Sequence, residues 1–168
     1  HVHLRRQRQM CIRDRLVAFP QDGVLRDPTA LENTKRALDM GVDVVGGIPH
    51  FERTMSEGAR SVTLLCEIAA ERGLMVDMHC DESDDPMSRH VETLAFETKR
   101  LGLEGRVSGS HLTSMHSMDN YYVSKLIPLM AESQLNVIPN PLINIMLQGR
   151  HDTCLLYTSD AADEGGRV

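Results

Sequence analysis

An imidazole, a thiol and two carboxylates stand side by side in His79-Cys80-Asp81-Glu82-Ser83, directly after the short apolar run Leu74-Met75-Val76-Asp77-Met78. A neutral imidazole binds divalent metals through a ring nitrogen, and a carboxylate three residues on, outside the ligand shell, can carry protons. Other polar groups recur in comparable places: Gln21 after Leu16–Phe19, His50 after Val42–Gly46, His111 after Arg106–Ser110, and Asn140 after Asn136–Pro139. Cys80 has no base assigned to it, so it is expected to be a small buried side chain rather than a nucleophile. His50, His116 and His151 sit in loop contexts with neither metal nor proton assigned to them. The ten methionines read as core filling.

The elements that must position these groups alternate along the chain. Leu16–Phe19 predicts a strand closed by Pro20. Asp27-Pro28 opens a helix, with the acid at the cap and proline at the first helical position, carrying Leu31 and Leu38 and stopped by Gly41. Val42–Gly46 is the next strand, and a helix over about 56–71 puts Val62, Leu65, Cys66 and Ala69 on one stripe. After the Leu74–Met78 strand, Asp84-Asp85-Pro86 is expected to cap a helix from Met87 to about Leu101, ended by Gly102. Arg106–Ser110 is a fourth strand. Asp119 or Ser117 caps a helix carrying Tyr122, Leu126, Leu129 and Met130, with a kink expected at Pro128. Asn136–Pro139 is a fifth strand, and Asn140–Asn144 opens a long loop.

Repeats of roughly 30 residues are βαβ spacing in a parallel sheet. A dinucleotide-binding fold needs Gly-x-Gly-x-x-Gly between strand and helix, and no turn here has it. Polar groups at successive strand ends instead predict the active face of a barrel. About five strands cannot close one, so the fold class is α/β, an incomplete (β/α)8 TIM barrel.

A formal charge of -6 and a pI near 5.7 argue against nucleic acid or an anionic membrane as partner, since both need a positive field. Small neutral or cationic substrates are easier to accommodate. Four cysteines without a Cys-x-x-Cys fit a reduced, cytoplasmic setting. No apolar stretch approaches the roughly 20 residues of a membrane helix, and the N-terminus lacks the apolar core of a signal peptide.

The two ends differ from the middle. Residues 1–15 are basic and almost free of strand pattern; they offer a His1-x-His3 pair and an arginine arm. This run and residues 154–168 resemble the translation of sequencing-adapter DNA, and both are expected to be artefactual or disordered extensions. On that reading His1 and His3 are not ligands, Cys11 and Cys154 carry no information, and residues 16–153 form the genuine partial barrel.

Five ordered blocks carry a resemblance: Val17-Ala18-Phe19-Pro20-Gln21-Asp22-Gly23, Val44-Val45-Gly46-Gly47-Ile48-Pro49-His50-Phe51-Glu52, Asp77-Met78-His79-Cys80-Asp81-Glu82, Ser110-His111-Leu112-Thr113-Ser114-Met115-His116-Ser117, and the run from Asn140 to Arg150. Together they resemble bacterial cytosine deaminases of the metal-dependent amidohydrolase superfamily. The resemblance implies a cytoplasmic, homo-oligomeric hydrolase that converts cytosine to uracil and ammonia through a water activated by one divalent ion, iron or zinc. It makes His79 a metal ligand and Glu82 the acid that moves protons to and from the ring. It also makes His111 the histidine that positions the attacking water and Gln21 the group that hydrogen-bonds the substrate amide.

It implies in addition a His-x-His pair well ahead of Gln21 and an aspartate beyond Thr153, neither matched here, so the chain by itself is expected to be inactive. The other cytosine-deaminating fold needs Pro-Cys-x-x-Cys, which this sequence lacks. Two alternatives remain open. One is an amidohydrolase acting on another cyclic amidine, such as a triazine; the other is a non-catalytic α/β module that self-associates through open strand edges.

Overall fold

The computed structural model describes residues 15–147, so the expectations for His1, His3, Cys11, His151 and Cys154 lie outside the described residues. Strands β1 (Val17–Ala18), β2 (Val44–Gly47), β3 (Met75–Cys80), β4 (Val107–His111) and β5 (Asn136–Ile138) form one sheet in the order of the sequence, each pair parallel. Four helices make the crossovers: α1 (Ala30–Asp39), α2 (Met55–Arg72), α3 (His90–Arg100) and α4 (Asn120–Glu132). Strand order that never reverses has no switch point of the doubly wound kind; it is the order of a barrel wall. The sheet is open, an arc of a (β/α) barrel, as the spacing predicted.

Local chemistry explains the element ends. Thr54 caps α2 by accepting from the Glu57 N–H at 3.1 Å, with Glu57 three residues on as in a capping box, and Gly73 at φ 66° closes the helix in the left-handed region. Asp119, one of the two residues predicted for the role, caps α4 by accepting from Tyr121 N and Tyr122 N at 2.9 and 3.3 Å. That helix continues through Pro128 to Glu132.

Several boundaries differ from those read in the sequence. Asp27 does not cap α1: its carboxylate accepts from Thr29 N at 2.8 Å and closes the turn before it, so the helix starts at Ala30 rather than at Pro28. The third strand extends past Met78 to Cys80, which places His79 inside it. The helix expected from Met87 begins at His90, because Asp85 accepts from Met87 N at 2.8 Å in a turn of its own. Instead of a long loop after Asn140, Pro141–Leu147 forms a fifth helix, α5.

Burial alternates along β3. Val76, Met78 and Cys80 are buried with Val62 and Leu65 of α2 and Val91 and Leu94 of α3, whereas Met75, Asp77 and His79 are only partly covered. Period-two alternation thus aims His79 at the opposite face from the helices. Leu65, Met78 and Leu94 are fully buried and contribute about 1.5–3 kcal/mol each. Gly47 keeps β2 close to this layer, since a Cβ there would lie 2.5 Å from the Met78 sulfur and 2.7 Å from Leu65 Cδ1.

Candidate active site

At the C-terminal end of β3 and β4 the sheet register sets Cys80 opposite His111, and His79 opposite Ser110. The His79 and His111 rings therefore approach to 4.8 Å between centroids, and Phe19 from the end of β1 packs on the other side of His79 at 4.7 Å. Glu82 completes the group: its Oε1 lies 3.2 Å from His111 Nδ1. His79, Glu82 and His111 each offer one ligand atom, all within 4.8 Å of one another. Two imidazoles and a carboxylate are a donor set that suits zinc or iron, so the residues present fit a divalent ion.

The family resemblance implies a single metal ligand in this chain, His79, with separate duties for Glu82 and His111. The fold brings the three into one cluster. Gln21 follows the end of β1 but is not part of this cluster: it is exposed and lines a cavity of about 300 Å³ against α1, with Phe19, Asp22, Asn33 and Thr34, that includes none of the three.

Backbone geometry aims these side chains. Asp81, His111 and Leu112 all have positive φ (57°, 75° and 55°), as does Asn140 at 44°. Non-glycine residues rarely adopt this region, at a cost of about 1–3 kcal/mol each, and they persist only where neighbours hold them. The holding bonds are Leu112 N to Cys80 O and Ser114 N to Asp81 O, both 3.1 Å. Thr113 Oγ1 donates to Asp81 O at 3.1 Å, and Ser114 Oγ to Ser88 O at 2.7 Å.

Three supporting residues have no role assigned from the sequence. Asn144 of α5 places Oδ1 2.8 Å from His111 Nδ1, while its amide donates to Pro139 O. Asp81, fully buried, accepts at Oδ1 from Ser88 Oγ (2.7 Å), His90 N (3.1 Å) and His90 Nδ1 (2.7 Å), and at Oδ2 from Val91 N (2.8 Å). Burial alone would raise its pKa, but the His90 contact and charge and the Ser88 and Val91 bonds hold it below the ordinary value. His50 lies near Asp81, His90 and the main chain of His79, without a well-formed hydrogen bond at either ring nitrogen. No spacing rule links Asp81 to a helix that starts nine residues later, and Asn144 falls where a loop was expected.

The electrostatics follow from burial. Desolvation lowers the His79 pKa, and the nearby His111 charge lowers it further, which favours the neutral, metal-binding imidazole. Cys80 is fully buried and burial pushes its thiol well above the usual range, as expected of a packing residue.

A parallel α/β arc with histidines and an acid converging on the strand ends defines a barrel hydrolase-type site with a candidate metal centre. The amidohydrolase family model matches residues 4–162, and the chain belongs to that family, whose members are metal-dependent. Among solved structures it is similar to 5-methylcytosine deaminase from Klebsiella pneumoniae in complex with phosphonocytosine, at 47% identity and a TM-score of 0.80 over 83% of this chain and 34% of that one. It is also similar to N-isopropylammelide isopropylaminohydrolase from Burkholderia multivorans, at 26% identity and TM-score 0.64 over 79% of this chain and 36% of that one. A pterin deaminase of Rhizobium rhizogenes is 26% identical over 79% of this chain and 30% of its own length. The chain thus spans about a third of each of these relatives. No helix among the described residues is long and apolar enough to cross a membrane.

Proposed function

We propose that this chain supplies one arc of an active site that hydrolyses cytosine or a closely related cyclic amidine to the carbonyl product and ammonia. The observation that carries the reading is the convergence of His79, Glu82 and His111 within 4.8 Å at the strand ends. The 47% identity to a 5-methylcytosine deaminase supports the substrate class over the ammelide and pterin chemistries of relatives at 26%.

His79 would hold one divalent ion, iron or zinc, with Glu82 and His111 beside it. When bound, such an ion lowers the pKa of a water toward neutrality. Glu82 takes a proton from the attacking water and delivers it to the ring nitrogen beside the amine-bearing carbon; it then takes the proton of the newly added hydroxyl and passes it to the amine, which leaves as ammonia as the C–N bond breaks and the C=O bond forms. His111 orients that water, its own ring fixed by Asn144. Gln21 hydrogen-bonds the substrate carbonyl and ring N–H, a paired contact that rejects analogues lacking either group.

The test is a chimera in which residues 16–147 replace the matching third of the Klebsiella deaminase. The expected result is metal-dependent loss of cytosine or 5-methylcytosine absorbance. A chimera that folds and binds iron or zinc but turns over neither base, while releasing ammonia from a triazine, sinks the cytosine reading and leaves the amidohydrolase.

A second, non-catalytic reading is favoured by one feature: Val137 and Ile138 of β5 and Leu142 of α5 are exposed at 48%, 43% and 86%. An apolar strand edge of this kind pairs with other copies. Sedimentation that shows a monomer at micromolar concentration removes this reading.

A further inference from the structure

Helices are ordinarily capped from the residue next to them, yet α3 is not. Its N-cap residue, Arg89, makes no side-chain cap bond, and Asp85 accepts from Met87 N in the turn before the helix. The first N–H groups of α3, those of His90 and Val91, donate to the carboxylate of Asp81, which leaves the end of β3 nine residues earlier. Ser88 and the His90 ring fill the rest of that carboxylate, and a Cβ at Gly58 would lie 2.1 Å from His90 Nε2, so α2 backs the imbidazole ring of His90 directly. On its main-chain side the same residue accepts twice, from Ser114 N and Thr113 Oγ1, in the segment that follows His111.

Asp81 therefore ties β3, α3 and the turn after β4 together. It stands between His79 and Glu82 in sequence and is held at φ 57°, in the left-handed region. Extended backbone at this position would send Glu82 off in a different direction, and the two carbonyl bonds could not form.

We propose that Asp81 is a positioning residue for the candidate metal and proton-transfer site: its clamp to α3 and to the Thr113–Ser114 turn sets the direction in which Glu82 leaves the strand, and so its contact with His111. Fully buried, Asp81 touches no reacting atom; it acts through its neighbours. The inference rests on the site reading given above.

The test uses the 168-residue chain in two measurements. In the metal-free protein, nuclear Overhauser contacts between the Glu82 side chain and the His111 ring report the positioning, and contacts between Met78 and Gly109, paired in the β3–β4 register, report the sheet. Cobalt(II), followed by its visible d–d absorption, then probes the cluster of His79, Glu82 and His111. Asp81→Asn keeps volume and tolerance of positive φ but loses the charge and sets an amide against Val91 N–H or His90. Ser88→Ala removes one donor and leaves the rest.

Asp81→Asn is expected to keep the Met78–Gly109 contacts, lose the Glu82–His111 contact and bind cobalt about tenfold or more weaker, the range in which groups behind metal ligands act, whereas Ser88→Ala, which removes one of the four bonds to that carboxylate, weakens both by a smaller factor. The inference is overturned if the wild-type chain lacks the Glu82–His111 contact, or if Asp81→Asn keeps both contact and affinity. Should Asp81→Asn fail to fold, Ser88→Ala decides: an unchanged contact overturns the inference and a weakened one upholds it. A wild-type chain that shows the contact yet binds no cobalt shows that these three donors alone do not hold the ion, while the contact in the two variants still decides the role of Asp81.

Discussion

Glu82 and His111 leave the ends of neighbouring strands and meet with Oε1 3.2 Å from Nδ1. The acid proposed to move protons thus touches the imidazole proposed to position the water, and both lie beside His79. Replacing Glu82 by Gln keeps the shape and removes the proton carrier. In the chimera with the Klebsiella deaminase, Glu82→Gln is expected to lower kcat by about 10²–10⁴-fold with KM changed far less. A fall confined to KM would make Glu82 a binding group.

His50 gives the fold a pH dependence. Burial lowers its pKa to about 4, partly opposed by the Asp81 carboxylate. The unfolded chain takes up this proton below about pH 6.5, the folded chain only near 4, so in between the unfolded state binds more protons. Stability from this group is complete above pH 6.5 and declines as the pH falls toward 4, by up to about 3 kcal/mol. Urea unfolding of the metal-free chain at pH 7 and pH 4.5 measures it, and His50→Asn should remove most of the difference; a variant with the wild-type slope would assign the dependence elsewhere.

The two described cysteines should be silent in the native state. Cys66 and Cys80 are fully buried, and burial raises the Cys66 thiol to about 12. Because the thiolate is the reactive form, neither is expected to react with an aromatic disulfide reagent at pH 8 until the chain is unfolded in urea. Peptide mapping after native labelling checks this, and modification at Cys80 would show that the β3–α3 junction opens.

Gly58 is a packing requirement. Alanine normally favours a helix over glycine by about 1 kcal/mol, but here its Cβ would lie 2.1 Å from His90 Nε2 and 2.7 Å from Pro49 O. Gly58→Ala is therefore expected to destabilise the chain by about 1–3 kcal/mol in a urea melt. A neutral or stabilising substitution would mean that His90 has room to move.

The parallel strand–helix alternation was legible because it depends on local patterning: apolar runs of strand length, Asp119 before a helix, and Gly41 and Gly102 after helices. The residues at the strand ends were legible for the same reason, since a strand that ends states where the next side chains stand. His79, Glu82 and His111 could be named from sequence and family resemblance. Their meeting could not, because it depends on the β3–β4 register and on positive φ at Asp81 and His111, which single-residue preferences oppose.

Three of the misplaced boundaries have one physical origin. At Asp27, Asp85 and Asn140 the local signal for a cap or a loop was read correctly as polar chemistry but assigned to the wrong partner. Asp27 and Asp85 close turns, and a helix follows Asn140. The carboxylate that serves α3 comes from Asp81, across a sequence gap that no periodicity spans. Sequence by itself determined the five strands, the four crossover helices and the chemical groups that stand at the strand ends, while α5 went unread. Tertiary packing alone decided which of those groups face one another, because a hydrogen bond between distant segments is selected by the fold that buries it and leaves no mark in the spacing of either segment.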